Sequence, residues 1–233
     1  MVFRIGLENN YEGRSLAWAL EHPGCFAYGE DGEAALANMP QALEAYTGWI
    51  ADHHCGESWL HLGEMELRVD DTWQVYDIGE DFELVDQGYS VNAWFLHDWK
   101  PLVLEEIERG LELLTWSRAD LLELVSGFSP EALKAGYPGE RWSIEGILKH
   151  IGGAEWWYLD RLGLAFPRQD VPEEALARLE KVRAHLESVL PTLPGSKQVV
   201  GVAGEWWSPR KLLRRAVQHE RDHFFHVRGL LKQ

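Results

Sequence analysis

Hydrophobic residues follow two different spacings along the chain, and the change comes near Asn92. Before it, apolar and polar positions alternate in short runs separated by turn residues, which predicts β-strands. These runs cover 2–7, 14–21, 25–29, 65–69 and 72–78, and the last two form one strand region. A helical pattern from Asp31 to Ile50 precedes that region. The order β-β-β-α-β predicts an α+β module whose helix covers one face of an antiparallel sheet.

After Asn92 apolar residues recur every three or four positions, which is typical of amphipathic helices. Four helices are predicted, over about 99–125, 143–164, 172–190 and 208–230. Ser143 and Ser208 are expected to cap the second and fourth of them. The pattern therefore predicts an all-α four-helix bundle, an architecture that commonly builds metal sites from side chains on facing helices.

Acidic residues are concentrated in the first part of the chain. Residues 1–88 carry 3 basic and 18 acidic side chains, a net charge of −15, whereas residues 89–233 carry 19 and 20, a net charge of −1. This step predicts two domains, 1–88 and 89–233. We expect no nucleic-acid partner, because the acidic first domain would repel phosphates.

The composition indicates a cytoplasmic protein. No apolar run approaches the roughly 20 residues needed to span a bilayer, so no membrane contact is expected. The first eight residues lack the pattern of a signal peptide. The two cysteines, Cys25 and Cys55, give neither a disulfide framework nor a metal-binding spacing, so reduced thiols are expected.

Two histidines four residues apart, His219 and His223, carry most of the chemical information. On a helix this spacing places both imidazoles on one face about a turn apart, which suits two ligands of one metal ion. They lie in the middle of an apolar stripe formed by Leu212, Ala216, Val227 and Leu230. Polar groups in a buried stripe need partners, which a metal would supply. The alternatives are a pair of core histidines with hydrogen-bond partners in the protein, and two histidines that merely share a helix.

Residues 219–223 also match the HExxH pattern of zinc proteases. The longer pattern of that class fails, since no later histidine occupies the position of the third ligand, and His226 is too close to replace it. Glu220 could serve as a general base, although a surface glutamate is the more ordinary interpretation. His226 could join or replace His223.

A third ligand could come from His97, His150 or His185. His150 lies at the edge of the apolar face of the second helix, whereas His185 lies off the stripe of the third helix and His97 near the start of the first. Spacing therefore favours His150. Three neutral imidazoles suit zinc, nickel or iron as divalent ions and leave coordination positions open.

Residues of the first domain resemble the HicB-like antitoxin domain. The resemblance is carried by segments 23–31 (PGCFAYGED), 33–38 (EAALAN) and 42–46 (ALEAY). Pro40 departs from the pattern, since a proline inside a helix should kink it. No basic DNA-binding tail follows, so the resemblance implies the HicB-like fold and pairing with a protein rather than a repressor arm.

Residues of the second domain resemble the DinB/YfiT-like superfamily. The resemblance is carried by segments 142–151 (WSIEGILKHI), 207–213 (WSPRKLL) and 217–223 (VQHERDH). It implies a three-histidine site at His150, His219 and His223 that holds a divalent metal, commonly zinc or nickel. Some members of the superfamily transfer low-molecular-weight thiols to electrophiles or isomerise thiol adducts.

Together these patterns favour a metal-dependent thiol transferase or hydrolase that acts on a small-molecule substrate or thiol. A non-enzymatic metal-binding protein and an antitoxin-like interaction protein are the alternatives. A homodimer is also expected, because exposed apolar surface on such bundles often forms a dimer contact.

Overall fold

A computed structural model describes residues 1–232, and their contacts divide the chain into two compact units. The sheet unit comprises residues 1–100 together with 201–207, and the helical unit comprises residues 101–200 and those from 208 onward. These compact units are defined by contacts between residues, whereas the predicted domains 1–88 and 89–233 were inferred from the distribution of charge. The domain division at residue 88 therefore stays a prediction.

The sheet unit is built on four strands and one long helix. The elements are β1 (Val2–Tyr11), β2 (Arg14–Ala19), β3 (Phe26–Gly29), α1 (Gly32–His53) and β4 (Glu66–Gln74), and the strand order is β3-β2-β1-β4. The predicted order of elements is confirmed, but the prediction of an antiparallel sheet is wrong. β1 and β4 pair in parallel. β3 runs in the same direction as β1, and α1 is a crossover connection after which β4 again runs in that direction.

Helix α1 begins where the sequence predicts. The Asp31 side chain caps it, with Oδ1 accepting a 2.8 Å hydrogen bond from the backbone N–H of Ala34. The helix continues through Pro40 to His53. Its buried side chains recur at helical spacing and pack toward the sheet: Ala35, Met39, Leu43, Tyr46 and Ile50.

Smaller elements complete the sheet unit. β5 (Asp77–Ile78), β6 (Leu84–Val85) and β7 (Tyr89–Ser90) form a three-stranded sheet, and β8 (Val200–Val202) pairs with β9 (Glu205–Trp207). The buried carboxylate of Glu205 accepts hydrogen bonds from the Tyr89 hydroxyl, the Asn92 backbone N–H and the Trp207 indole, at 3.1, 2.6 and 2.8 Å. These bonds tie a distant segment of the chain to the rest of the unit.

Among residues 1–232, the helical unit contains the four predicted long helices, one short α-helix and two short 3-10 helices. The α-helices are α2 (Leu104–Val125), α3 (Pro130–Lys134), α4 (Ile144–Arg161), α5 (Ala175–Val189) and α6 (Pro209–Leu230). The five-residue α3 was not predicted, and the first long helix begins at Leu104 rather than near residue 99. Apolar side chains of the four long helices form a common core: Leu121, Val125, Ile144, Ile147, Leu148, Ile151, Ala175, Leu179, Val227 and Leu230. Within residues 1–232, no helix is long and apolar enough to cross a membrane.

Candidate metal centre

Two helices of the helical unit present the three predicted histidines. The Ser143 hydroxyl caps α4 by accepting a 3.2 Å hydrogen bond from the Gly146 N–H, and His150 follows about two turns later. The Ser208 hydroxyl caps α6 in the same way, and His219 and His223 lie further along that helix. The caps fix where each helix begins, so the histidines occupy defined positions on their faces.

The structure brings the three ring nitrogens together. His219 Nε2 lies 3.0 Å from His150 Nε2 and 3.2 Å from His223 Nε2. His150, His219 and His223 form a group whose ligand atoms all lie within 4.8 Å of one another, and it includes no carboxylate and no thiol. This group is called the histidine cluster below.

Hydrogen bonding among the rings accounts for only part of this geometry. Each Nε2 carries either one hydrogen or one lone pair in the plane of its ring. His219 Nε2 can therefore form a normal hydrogen bond with only one of its two close neighbours. Two nitrogen ligands of one ion, each about 2.0–2.1 Å from it, lie about 2.8–3.4 Å apart for angles between about 90° and 110°. The observed separations fall within that range, so the histidine cluster fits a first-row divalent ion.

The environment keeps the three imidazoles neutral. Burial lowers the pKa of His150, with further lowering by Arg141 and Arg215. Burial also lowers the pKa of His219 well below its ordinary value, and the pKa of His223 falls to about 3, with the other histidines and Arg215 adding to both shifts. A neutral imidazole is the form that binds a metal ion.

Aromatic side chains hold two of the rings in place. The Trp142 ring lies 4.6 Å from the His150 ring, at an interplanar angle of 33°. The Tyr158 ring meets His219 edge-on at 6.0 Å. Both contacts restrict ring rotation, which favours a preorganised ligand set.

The other histidines considered from the sequence lie outside the cluster. His185 Nε2 lies 2.7 Å from the Leu164 carbonyl oxygen, and His226 Nε2 lies 3.1 Å from Glu140 Oε2. His97 is buried in a short 3-10 helix of the sheet unit rather than exposed on a surface. His226 is close to His223, with 6.0 Å between ring centroids, but its ring nitrogen points to a different partner.

Glu220 is neither a surface residue nor a base at the histidine cluster. Only 1% of it is exposed, and its carboxylate accepts hydrogen bonds of 2.5 Å from Arg118 Nε and from Arg183 Nη2. Burial alone would raise its pKa, but Arg183 and Arg118 outweigh burial and lower it. An ionised carboxylate held by two guanidinium groups is a poor proton acceptor.

Glu220 belongs to a buried group of four charged residues that is called the charge cluster below. Arg118 on α2, Glu155 on α4, Arg183 on α5 and Glu220 on α6 are 8%, 3%, 4% and 1% exposed. Arg183 binds Glu155 through Nε at 3.0 Å and Nη2 at 2.8 Å. Each long helix contributes one residue, and the two positive and two negative charges balance.

The charge cluster was not predicted, although the sequence contains a signal for it. Arg118 follows Leu114 by four residues and precedes Leu121 by three, so it occupies a core position of α2. Glu155 likewise lies between Ile151 and Tyr158 on α4. Charged residues at core positions of several helices, in equal numbers of each sign, predict mutual pairing.

Comparison with known proteins finds a family match to one stretch of the chain. The family model described as the DinB superfamily matches residues 113–226. Among solved structures, the chain is similar to YfiT from Bacillus subtilis, described as a probable metal-dependent hydrolase with an unusual four-helix bundle topology. That match has 17% sequence identity and a TM-score of 0.46, and it covers 59% of this chain and 94% of that chain. No curated protein matches. The chain thus carries a DinB superfamily domain at residues 113–226.

Proposed function

We propose that the helical unit binds one divalent transition-metal ion through His150, His219 and His223 and is a metal-dependent thiol transferase or hydrolase for a small molecule. The convergence of three neutral Nε2 atoms, at 3.0 and 3.2 Å from the central one, is the observation that carries this proposal. Zinc and nickel are the preferred ions and iron is the third choice, because imidazole suits all three.

Three protein ligands leave coordination positions for water or substrate, which is typical of a catalytic rather than a structural site. An ion held in this way supplies Lewis acidity, which lowers the pKa of a bound water or thiol. The protein contributes neutral ligands, ring orientation by Trp142 and Tyr158, and partial exclusion of solvent.

The arrangement of carboxylates favours thiol transfer over hydrolysis. Glu220, the glutamate of the HExxH pattern, is bound by Arg118 and Arg183, and the histidine cluster includes no carboxylate. A hydrolase of the HExxH type needs a carboxylate as general base. A thiol has a much lower intrinsic pKa than water, so it needs less help from such a base.

Metal content of the purified, untagged protein tests the proposal. We expect about one divalent ion per chain in the wild type and a loss of most of it in His150→Ala, His219→Ala and His223→Ala. Loss of one hydrogen bond to a metal ligand already costs about 10–100-fold in metal affinity, so loss of the ligand itself should cost at least as much. His185→Ala and His226→Ala are matched controls, because these histidines bind Leu164 and Glu140 instead.

A wild type that stays metal-free after incubation with zinc, nickel and iron would contradict the proposal. Retention of metal in His150→Ala alone would assign the third ligand to another residue. With metal binding established, turnover of thiol donors with electrophilic acceptors, against hydrolysis of esters and amides, separates the two reaction classes.

The sheet unit has a separate proposed role. We propose that it is HicB-like and serves assembly, either through a protein partner or through a homodimer. The order β-β-β-α-β and the capped helix α1 support this proposal. Sedimentation of the full chain at several concentrations tests the dimer, and a mass that stays that of one chain would contradict it.

A further inference from the structure

The charge cluster and the histidine cluster share two helices. Glu220 lies on α6 directly after His219, and Glu155 lies on α4 five residues after His150. Each glutamate is therefore within about two turns of a histidine of the candidate metal site on the same helix. Because backbone hydrogen bonds join consecutive turns of a helix, a glutamate that is fixed in place also fixes the position of the nearby histidine.

Both arginines of the charge cluster bridge the two glutamates. Arg118 donates through Nε to Glu220 at 2.5 Å and through Nη2 to Glu155 at 3.4 Å. Arg183 donates to Glu155 through Nε and Nη2 at 3.0 and 2.8 Å, and its Nη2 also donates to Glu220 at 2.5 Å. The four side chains thus form a closed network that connects α4 to α6 twice, once through each arginine.

Backbone atoms hold the two arginines in turn. Arg118 on α2 donates through Nη1 to the carbonyl oxygen of Leu179 on α5, at 2.6 Å. Arg183 on α5 donates through Nη1 to the carbonyl oxygen of Leu114 on α2, at 2.5 Å. These reciprocal bonds tie α2 to α5. The two helices that carry no member of the histidine cluster therefore hold both guanidinium groups in defined positions.

A three-histidine site depends closely on the spacing of the helices that supply it. His150 comes from α4, and His219 and His223 come from α6. Metal–ligand distances vary by only about 0.2 Å, and working sites are held within about 0.5 Å of their productive geometry by the residues around them. Apolar cores can repack with small shifts, whereas a satisfied network of buried hydrogen bonds specifies one arrangement.

We propose that Arg118 and Arg183 are positioning residues of the metal centre. By bridging Glu155 and Glu220 they set the distance between α4 and α6, and through it the affinity and the coordination geometry of the bound ion. Neither arginine belongs to the histidine cluster, so both act through the helices. The inference rests on the proposed function, since it concerns the same ion.

Zinc affinity and the visible spectrum of bound cobalt test this inference in the full chain. Arg183→Lys keeps the positive charge but removes the planar fork that reaches both glutamates. We expect the dissociation constant for zinc, measured by competition with a chromophoric chelator, to rise at least about tenfold, as is typical when an outer partner of a metal site is replaced. The cobalt spectrum should change as well, because it depends on the arrangement of the ligands.

Leu186→Ala is the matched control. Leu186 is fully buried on α5, three residues from Arg183, so its truncation lowers the free energy of unfolding and leaves the charge cluster intact. We expect this variant to keep the zinc affinity and the cobalt spectrum of the wild type. Circular dichroism confirms that each variant is folded under the conditions of the metal titration.

A second variant separates positioning from stability. It replaces the whole charge cluster, with Arg118→Met, Glu155→Leu, Arg183→Met and Glu220→Leu. No buried charge remains, and apolar replacements of this kind often retain or raise stability. We expect this variant to fold and yet to bind zinc at least about tenfold more weakly than the wild type. It keeps the test valid if Arg183→Lys fails to fold.

A folded variant of the charge cluster with the zinc affinity and cobalt spectrum of the wild type overturns the inference and leaves the proposed function intact. An equal loss of zinc affinity in Leu186→Ala also overturns it, because the effect would then follow stability alone. A wild type that takes up neither zinc nor cobalt overturns the proposed function and the inference with it.

Discussion

The helical unit contains two polar clusters that share α4 and α6, and they differ in whether residues of the protein satisfy all of their polar groups. The charge cluster pairs two arginines with two glutamates, and Arg118 and Arg183 also donate to the backbone carbonyls of Leu179 and Leu114. The histidine cluster brings together three groups of one kind. Its Nε2 atoms meet at 3.0 and 3.2 Å without an opposite charge among them.

This difference is the one expected between a cluster that holds helices together and a cluster that binds a ligand. Buried charges that satisfy one another hold helices in register and need no ligand. Three converging Nε2 atoms of neutral imidazoles instead suit an ion from outside the chain, as proposed above. His223 Nδ1 is also buried without a hydrogen-bond partner among residues 1–232, so its ring orientation depends on packing and on Nε2. The comparison predicts that the two clusters respond differently to mutation and to pH.

The largest effect should come from breaking the charge cluster. Glu220→Leu would leave Arg118 and Arg183 with one carboxylate, and an uncompensated buried charge costs about 3–5 kcal/mol. Urea unfolding followed by circular dichroism should show this loss in the free energy of unfolding. Glu140→Gln removes a half-exposed carboxylate next to His226 and should cost less than about 1 kcal/mol. Equal costs for the two variants would refute a structural role for the charge cluster.

A change of pH should have an intermediate effect on the free energy of unfolding of the metal-free protein. The pKa of His223 is about 3 in the folded protein, below the value of about 6.5 in an unfolded chain. The unfolded chain therefore binds more protons between these values, and stability falls as pH is lowered from about 6.5 toward 3. The slope is about 1.4 kcal/mol per pH unit for each such histidine.

The free energy of unfolding, measured at pH 7, 6 and 5 in the presence of a chelator, distinguishes the contribution of the histidine cluster from that of the charge cluster. His223→Leu should show a shallower loss of stability than the wild type. The charge cluster contributes little to this slope, since the lowered pKa of Glu220 keeps it ionised throughout the range. Parallel slopes for wild type and His223→Leu would show that the imidazole is not buried in its neutral form.

The smallest effect should come from the cap of α4. Ser143→Ala removes the acceptor for the Gly146 N–H and should destabilise the unit by about 1 kcal/mol. Ser143→Asp should retain the stability of the wild type, because aspartate is also a good cap. Thermal unfolding measures both. If Ser143→Ala lost more free energy of unfolding than Glu220→Leu, the cap would contribute more to stability than the charge cluster, which contradicts the prediction.

Local signals in the sequence were sufficient to predict most helices and strands of the fold. Ser143, Ser208 and Asp31 mark the starts of α4, α6 and α1, because capping depends on residues only two or three positions apart. Strand pairing was not predictable in this way. The parallel pairing of β1 with β4 depends on the path of a connection between distant residues, which no local pattern encodes.

The candidate site was predicted because its residues are spaced along two helices. His219 and His223 share a face by helical geometry alone, but the choice of His150 depended on the likeness of its motif as well as on its position. The partners of Glu220 could not be assigned, since Arg118 and Arg183 lie far away in the sequence. The burial of Lys211 on α6 was also not predicted, because a basic residue gives no local sign that it is buried.

The segment that carries Glu205 limits how this protein can be divided. This segment lies between α5 and α6 in the chain. The Glu205 carboxylate nevertheless accepts hydrogen bonds from Tyr89 and Asn92, which lie far earlier in the sequence and belong to the same sheet unit. A cut after residue 100 would remove this acceptor from the N-terminal fragment and leave β9 without its unit. The two units therefore cannot be exchanged between proteins as end-to-end modules, because a junction anywhere between residues 101 and 207 divides at least one of them.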